Sequence, residues 1–174
     1  MRKALAIICL ALLASLSAFA LPALLRPATA RAATPTTAEK RLIAAVNRVR
    51  VNHDLAKVRC RSFLLVAARF HADELADREL LTHKSECGWT LAQRVRHLGY
   101  TADGYTYWTI GEDLAHVTAG TSAARARAVV RRWMRSSAHR AVLLAPKIRD
   151  IGVGTAVGAD GMKYVTVDLG RRIM

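Results

Sequence analysis

Two runs near the carboxyl end, residues 151–157 and 163–169, flank Gly158-Ala159-Asp160-Gly161, and Asp-Gly between β-rich runs is a hairpin signal. In the second run Tyr164, Thr166 and Asp168 alternate with Val165, Val167 and Leu169, a period of two that implies one buried face. A half-buried hairpin needs a second layer to cover it, and most of the chain upstream reads as helix. The sequence therefore predicts an α+β fold.

The helical readings follow from spacing and caps. Thr36-Thr37-Ala38-Glu39 is a capping-box pattern, after which Leu42, Ile43, Val46 and Val49 recur at helical spacing to about residue 51. Residues 62–80 place Phe63, Leu64, Ala67, Ala68, Phe70, His71 and Leu75 along one side of a second helix. A short third helix over 90–97 has Leu91, Val95 and Leu98 apolar and Gly99 at its C-cap. Residues 100–107 read as a polar and aromatic loop, and Trp108-Thr109-Ile110 as a short extended approach to Gly111. Ser122 then caps a helix through Arg135 with Ala126, Val129, Val130 and Trp133 inward.

The amino terminus sets the compartment. Met1-Arg2-Lys3 is a positive head, residues 4–25 are apolar or small, and Ala28-Thr29-Ala30 and Ala30-Arg31-Ala32 are small-x-small cleavage patterns. Residues 1–33 are expected to be a secretory signal peptide, with an uncleaved anchor through residues 4–25 as the alternative, because ~20 apolar residues span a bilayer. Residues 34–174 form one domain. The protein is then secreted, or held outside the cytoplasm. Export leaves Cys60 and Cys87 as the only cysteine pair, and an oxidising exterior predicts a Cys60–Cys87 disulfide.

The chain carries 27 Lys and Arg against 13 Asp and Glu; without residues 1–33 the balance is 23 against 13, a net +10. Expected anionic partners outside the cell are membrane surfaces, wall polyanions and acidic polysaccharides. No helix-turn-helix, zinc-finger or aromatic-interleaved basic motif points to nucleic acid.

Three separated segments set ionisable side chains in apolar or glycine-marked surroundings: Leu80-Leu81-Thr82-His83, Gly111-Glu112-Asp113-Leu114-Ala115, and Trp133-Met134-Arg135-Ser136-Ser137-Ala138-His139-Arg140. Two imidazoles and a carboxylate brought together could bind a divalent metal, relay a proton, or tie the fold with charged hydrogen bonds. With Ile151-Gly152-Val153-Gly154 in fourth place, the order and spacing of these motifs resemble the CAP superfamily, in particular its bacterial extracellular branch. The resemblance covers about residues 36–170.

That resemblance implies an α-β-α sandwich in which His83, Glu112 and His139 converge on one cleft, with Zn²⁺ on these three as the expected metal. It implies a secreted binding module for a lipid, sterol, peptide or wall component. Asp113 stands where the family has Asn, Ser137-Ala138 where it has Pro-Gly, and Val142 where an Asn often follows. A second carboxylate beside Glu112 is expected to raise one carboxyl pKa unless compensated, so Asp113 either adds metal affinity or faces water. The second Glu of animal relatives falls near Ser136, and no His follows His139.

Two other functions stay open at this level: a metal-assisted or acid-base hydrolase using the same residues, and a surface-interaction protein whose polar cluster is structural. His71 reads as a core histidine; His53, His97 and His116 read as surface residues. Ser136 and Ser137 lack a Gly-x-Ser-x-Gly elbow, and there is no His-Glu-x-x-His or phosphate-cradling glycine loop.

Overall fold

A computed structural model describes residues 33–174. The expected signal or anchor lies, apart from Ala33, outside the described residues. Their element order is α1 (Thr37–Val51), β1 (Arg59–Cys60), α2 (Ser62–Asp77), α3 (Leu91–His97), β2 (Tyr107–Thr118), α4 (Ala123–Arg135), α5 (Ser137–Leu143), β3 (Asp150–Val157) and β4 (Met162–Ile173). The sheet order is β1-β3-β4-β2, antiparallel except for the two-residue β1, which runs parallel to β3. The capping box at Thr36 and Glu39 and the β3–β4 hairpin form as expected.

The Ile151-Gly152-Val153-Gly154 strand shows how the layers are sorted. A Cβ on Gly152 would lie 2.1 Å from the Leu64 carbonyl carbon, and one on Gly154 2.1 Å from the Ala68 carbonyl oxygen, so only glycine lets the α2 backbone lie this close. Ile151 and Val153, both fully buried, point the other way into a core with Leu42 and Val46 of α1, Val130 and Trp133 of α4, and Val167 and Leu169 of β4. Burying each such side chain contributes about 1.5–3 kcal/mol. With α2 and α3 on one face and α1, α4 and α5 on the other, the domain is the α-β-α sandwich expected.

Several boundaries differ from expectation for local reasons. Strand β2 is a continuous ladder with β4 from Tyr107 opposite Ile173 to Thr118 opposite Met162, far longer than Trp108 to Ile110. Two adjacent charges at Glu112 and Asp113 had hidden its period of two. Helix α2 ends at Asp77, three residues early, in a Schellman turn. There the Leu80 N–H donates to the Leu75 carbonyl at 3.2 Å and the Glu79 N–H to Ala76 at 3.3 Å, with Glu79 left-handed at φ 49°. His83 thus belongs to a loop, not to a helix end. Strand β1 and helix α5 were not anticipated, both being too short to show a period.

The expected Cys60–Cys87 disulfide is not formed: Cys60 is half-buried, Cys87 is exposed, and both are free thiols. Cys60 precedes the first residue of α2, whereas the neighbour of Cys87, Glu86, donates its N–H to Glu74 in the last turns of that helix. At 1.5 Å per residue those ends lie roughly 18 Å apart, well beyond the ~7 Å between Cα atoms that a disulfide tolerates.

Candidate functional site: a paired carboxylate beside a cationic cleft

Glu112 is central to the first motif cluster. Its side chain is 1% exposed, and both oxygens are engaged: Oε1 accepts from His83 Nδ1 at 2.8 Å, and Oε2 accepts from Arg94 Nη2. Arg94 is itself fully buried, so this is an ion pair removed from water, where losing either member leaves an uncompensated charge. Its other amino group donates to the His83 carbonyl at 3.4 Å and to Ser85 Oγ at 3.3 Å.

The loop that carries His83 is fastened from below. His71 Nε2 donates to the Thr82 carbonyl at 2.8 Å, His71 Nδ1 faces Glu74 Oε2 at 2.9 Å, and Glu74 Oε1 accepts from the Glu86 N–H at 3.0 Å. His71 is the fully buried core histidine that the sequence suggested, but its work is polar: it pins Thr82 in place. His83 projects outward, its side chain 64% exposed. The hydrogen bond to Glu112, opposed by partial burial, raises its pKa.

The neighbouring carboxylates are handled differently. Strand alternation turns Asp113 to the opposite face from Glu112, in register with the fully buried Val167. Asp113 is 1% exposed and neither oxygen has a hydrogen-bond partner among the described residues. Burial, with the Glu112 charge adding to it and His83 opposing it, pushes its pKa up to about 8. One carboxyl is raised, as expected, but Asp113 does not face water; it is a buried acid whose surroundings favour the neutral form. Asp168, in register with Glu112 on β4, is also buried without a partner, and burial and the Glu112 charge raise its pKa.

Beside His83 opens a cleft of about 260 Å³. Leu81, Leu114, Ala115 and Trp133 give it an apolar floor, and the Trp133 indole N–H donates to the Leu114 carbonyl at 2.8 Å, which locks α4 onto β2 there. Thr82, His83, Arg132, Ser136 and His139 supply its polar groups, and no carboxylate lines it. His139, on α5, has its Nδ1 buried without a partner, and its pKa is lowered by burial and then by the nearby positive groups of His83 and Arg132.

Of the three expected site residues, His83 and Glu112 are directly bonded and His83 and His139 share the cleft, but Glu112 does not line it. The expected Zn²⁺ site is not assembled. Both Glu112 oxygens are committed to Arg94 and His83, and among the described residues no three His, Cys, Asp or Glu side chains are arranged to hold a metal ion. Sequence reasoning missed Arg94, Arg132 and Glu74. Arg94 carried a signal, since with Leu91, Val95 and Leu98 it falls on the apolar stripe of α3.

Comparison with known proteins agrees with this architecture. The solved structures similar to this chain include an outer surface protein of Borrelia burgdorferi, 24% identical over 76% of this chain and 91% of that one, TM-score 0.63. An extracellular SCP-domain protein of Bacillus anthracis is 22% identical, TM-score 0.61, over 77% of this chain, which spans only 40% of it. Venom allergen-like protein 4 of Schistosoma mansoni is 10% identical, TM-score 0.57, over 80% of this chain and 92% of that one. No curated protein sequence matches. The family model described as "CAP: Cysteine-rich secretory protein family" matches residues 43–169, most of the chain, and with the sandwich and its four motifs in place the protein is a member of the CAP family.

Proposed function

We propose that the protein is an extracellular binding module whose cleft takes a small ligand combining an anionic group with a short apolar part. One observation carries this reading: His83, Arg132 and His139 border a cavity floored by Leu81, Leu114, Ala115 and Trp133, with no acidic side chain facing it. Cationic groups over an apolar floor favour a carboxylate or phosphate head on a lipid-like or peptide ligand over a neutral or cationic one. Glu112 acts behind the cleft, holding the His83 ring by Nδ1 and leaving Nε2 as the free ring nitrogen. For a serine hydrolase the geometry offers no support at His139 Nδ1, which is buried without a partner and so is not bonded to Ser136 or Ser137.

Placement outside the cell follows from the amino-terminal pattern, and mass spectrometry of the protein recovered from culture medium checks it by the mass lost. For the cleft, calorimetric titration with octanoate and with octanol separates charge from apolar contact. Octanoate is expected to bind and octanol not. Arg132→Gln with His83→Ala is expected to remove octanoate binding while the melting temperature stays within a few degrees. Equal binding of the alcohol, or octanoate binding untouched by both substitutions, overturns the reading.

A further inference from the structure

A second concavity lies away from the cleft. The cleft opens at β2, one edge of the sheet; this groove, about 690 Å³, lies at β1, the other edge. Lys57, Arg59, Arg61, Arg149 and Arg171 line it, and no carboxylate does. Asp150, the nearby acid, is satisfied by Arg61 Nε at 2.7 Å and by the Tyr100 hydroxyl at 2.8 Å. Among the described residues the other four cations have no acidic partner.

Behind the groove wall lies a fifth uncompensated charge. Arg50 is fully buried, and it donates only to backbone carbonyls: Ala56 at 2.9 Å, Leu143 at 2.6 Å, Ala145 at 3.2 Å and Ile148 at 3.2 Å. A buried guanidinium is usually paired with a carboxylate; here its charge adds to that of Arg149 next to it, whose own amino group is tied to the Pro146 and Ile148 carbonyls at 2.6 and 2.7 Å. Fixed cations crowded in this way repel one another, and an anion between them relieves the repulsion.

The arrangement also has a repeat. Arg59 lies in β1 and Arg61 just after it is extended, with Lys57 two residues before; residues two apart in an extended chain stand about 6–7 Å apart. We propose that this groove docks a linear anionic polymer of the phosphodiester type, laid along β1 with successive charges meeting Lys57 and Arg59 and reaching Arg149 and Arg171 across the groove. A thin chain can enter a recess between two walls, whereas a flat bilayer surface meets only its rim. No aromatic side chain lines the groove, so the fit is to backbone charge and not to stacked bases.

Binding of labelled poly(glycerol phosphate) to the full secreted chain, followed by fluorescence anisotropy across a salt series, tests this. Four contacts predict a slope of log K against log salt of roughly −3, by the −0.7 per contact found for single strands. Lys57→Gln with Arg59→Gln, both exposed and so safe for folding, is expected to bring the slope to about −1.4 and weaken binding more than about tenfold at low salt. Neutralising exposed charges on α4 instead, with Arg127→Gln, Arg131→Gln and Arg135→Gln, is expected to change little. Equal loss from the α4 variant shows diffuse charge and overturns the proposal, as does tighter binding to phosphatidylglycerol vesicles than to the polymer, or full displacement by inorganic phosphate at matched ionic strength. An oligothymidylate arm tests whether bases contribute: parity per phosphate is the expected result, and exclusive binding of the oligonucleotide overturns a charge-only fit.

Discussion

Glu112 and Asp113 are consecutive, equally buried and of the same charge type, yet the two faces of β2 treat them in opposite ways. On the α2–α3 face Glu112 meets a buried arginine and a histidine, and each oxygen has a donor. On the α1–α4–α5 face Asp113 meets valine and nothing that can donate to it. The difference separates two meanings of a buried acid. Glu112 has a donor on each oxygen, a guanidinium on one and an imidazole on the other, and the loop bearing His83 is assembled around it. Asp113 is tolerated because it can take up a proton.

The comparison breaks most readily at Arg94. Arg94→Met keeps most of the volume but strands Glu112 in a dry site beside Asp168, and losing one member of a buried pair costs about 3–5 kcal/mol. The urea midpoint is expected to fall accordingly, and Thr82 to Glu86 should lose amide protection first, since Arg94 also holds the His83 carbonyl and Ser85. A loss under about 1 kcal/mol would mean that His83 alone satisfies Glu112, and that the two faces differ less than their contacts indicate.

Asp113→Asn tests the other face and restores the amide that the resemblance assigns to this position. A carboxyl whose folded pKa is raised to about 8 binds its proton more tightly folded than unfolded, so its contribution to stability is complete at low pH and declines as pH rises from about 4 towards 8. The amide carries no such penalty. At pH 7 the variant is expected to be more stable by roughly 4 kcal/mol, with the gain gone near pH 4. A gain that does not depend on pH would show that Asp113 is already neutral or partnered for another reason.

How far the sequence revealed this site follows the same divide. Elements with a clear period or a cap were legible: the Thr36 box, the Asp160-Gly161 turn and the α4 face all form where the pattern put them. The Ile-Gly-Val-Gly strand was legible as a motif, but its reason, two glycines against the α2 backbone, needs the third dimension. Within the site, Glu112 was readable as a carboxylate that needs a partner, since Gly111 and Leu114-Ala115 frame it. Its partner was not, because Arg94 lies 18 residues upstream on another element, and a cation on an apolar stripe looks like an irregularity until the acid facing it is known. The disulfide failed for the complementary reason: compartment and even count say that two thiols can pair, and only the length of α2 says that they are too far apart.

The finest comparison lies between the two partners of Glu112. Arg94 is buried and His83 is mostly exposed, so His83→Ala is expected to cost less than about 1 kcal/mol, solvent screening removing most of what the ion pair would otherwise contribute. The sign of its pH dependence separates it from Asp113. A histidine whose pKa is raised on folding contributes fully below its unfolded value of about 6.5, and the contribution disappears as pH rises through the folded value. Removing His83 should therefore flatten the stability profile only above about pH 6.5, whereas removing the Asp113 carboxyl flattens it from about pH 4 upward. Profiles of both variants and of the pair, measured by urea denaturation at a series of pH values, show whether the two faces of β2 titrate independently. Additive profiles assign each slope to its own residue. A double variant that falls short of the sum would reveal coupling through the strand edge, where the His83 charge already opposes the rise in the Asp113 pKa.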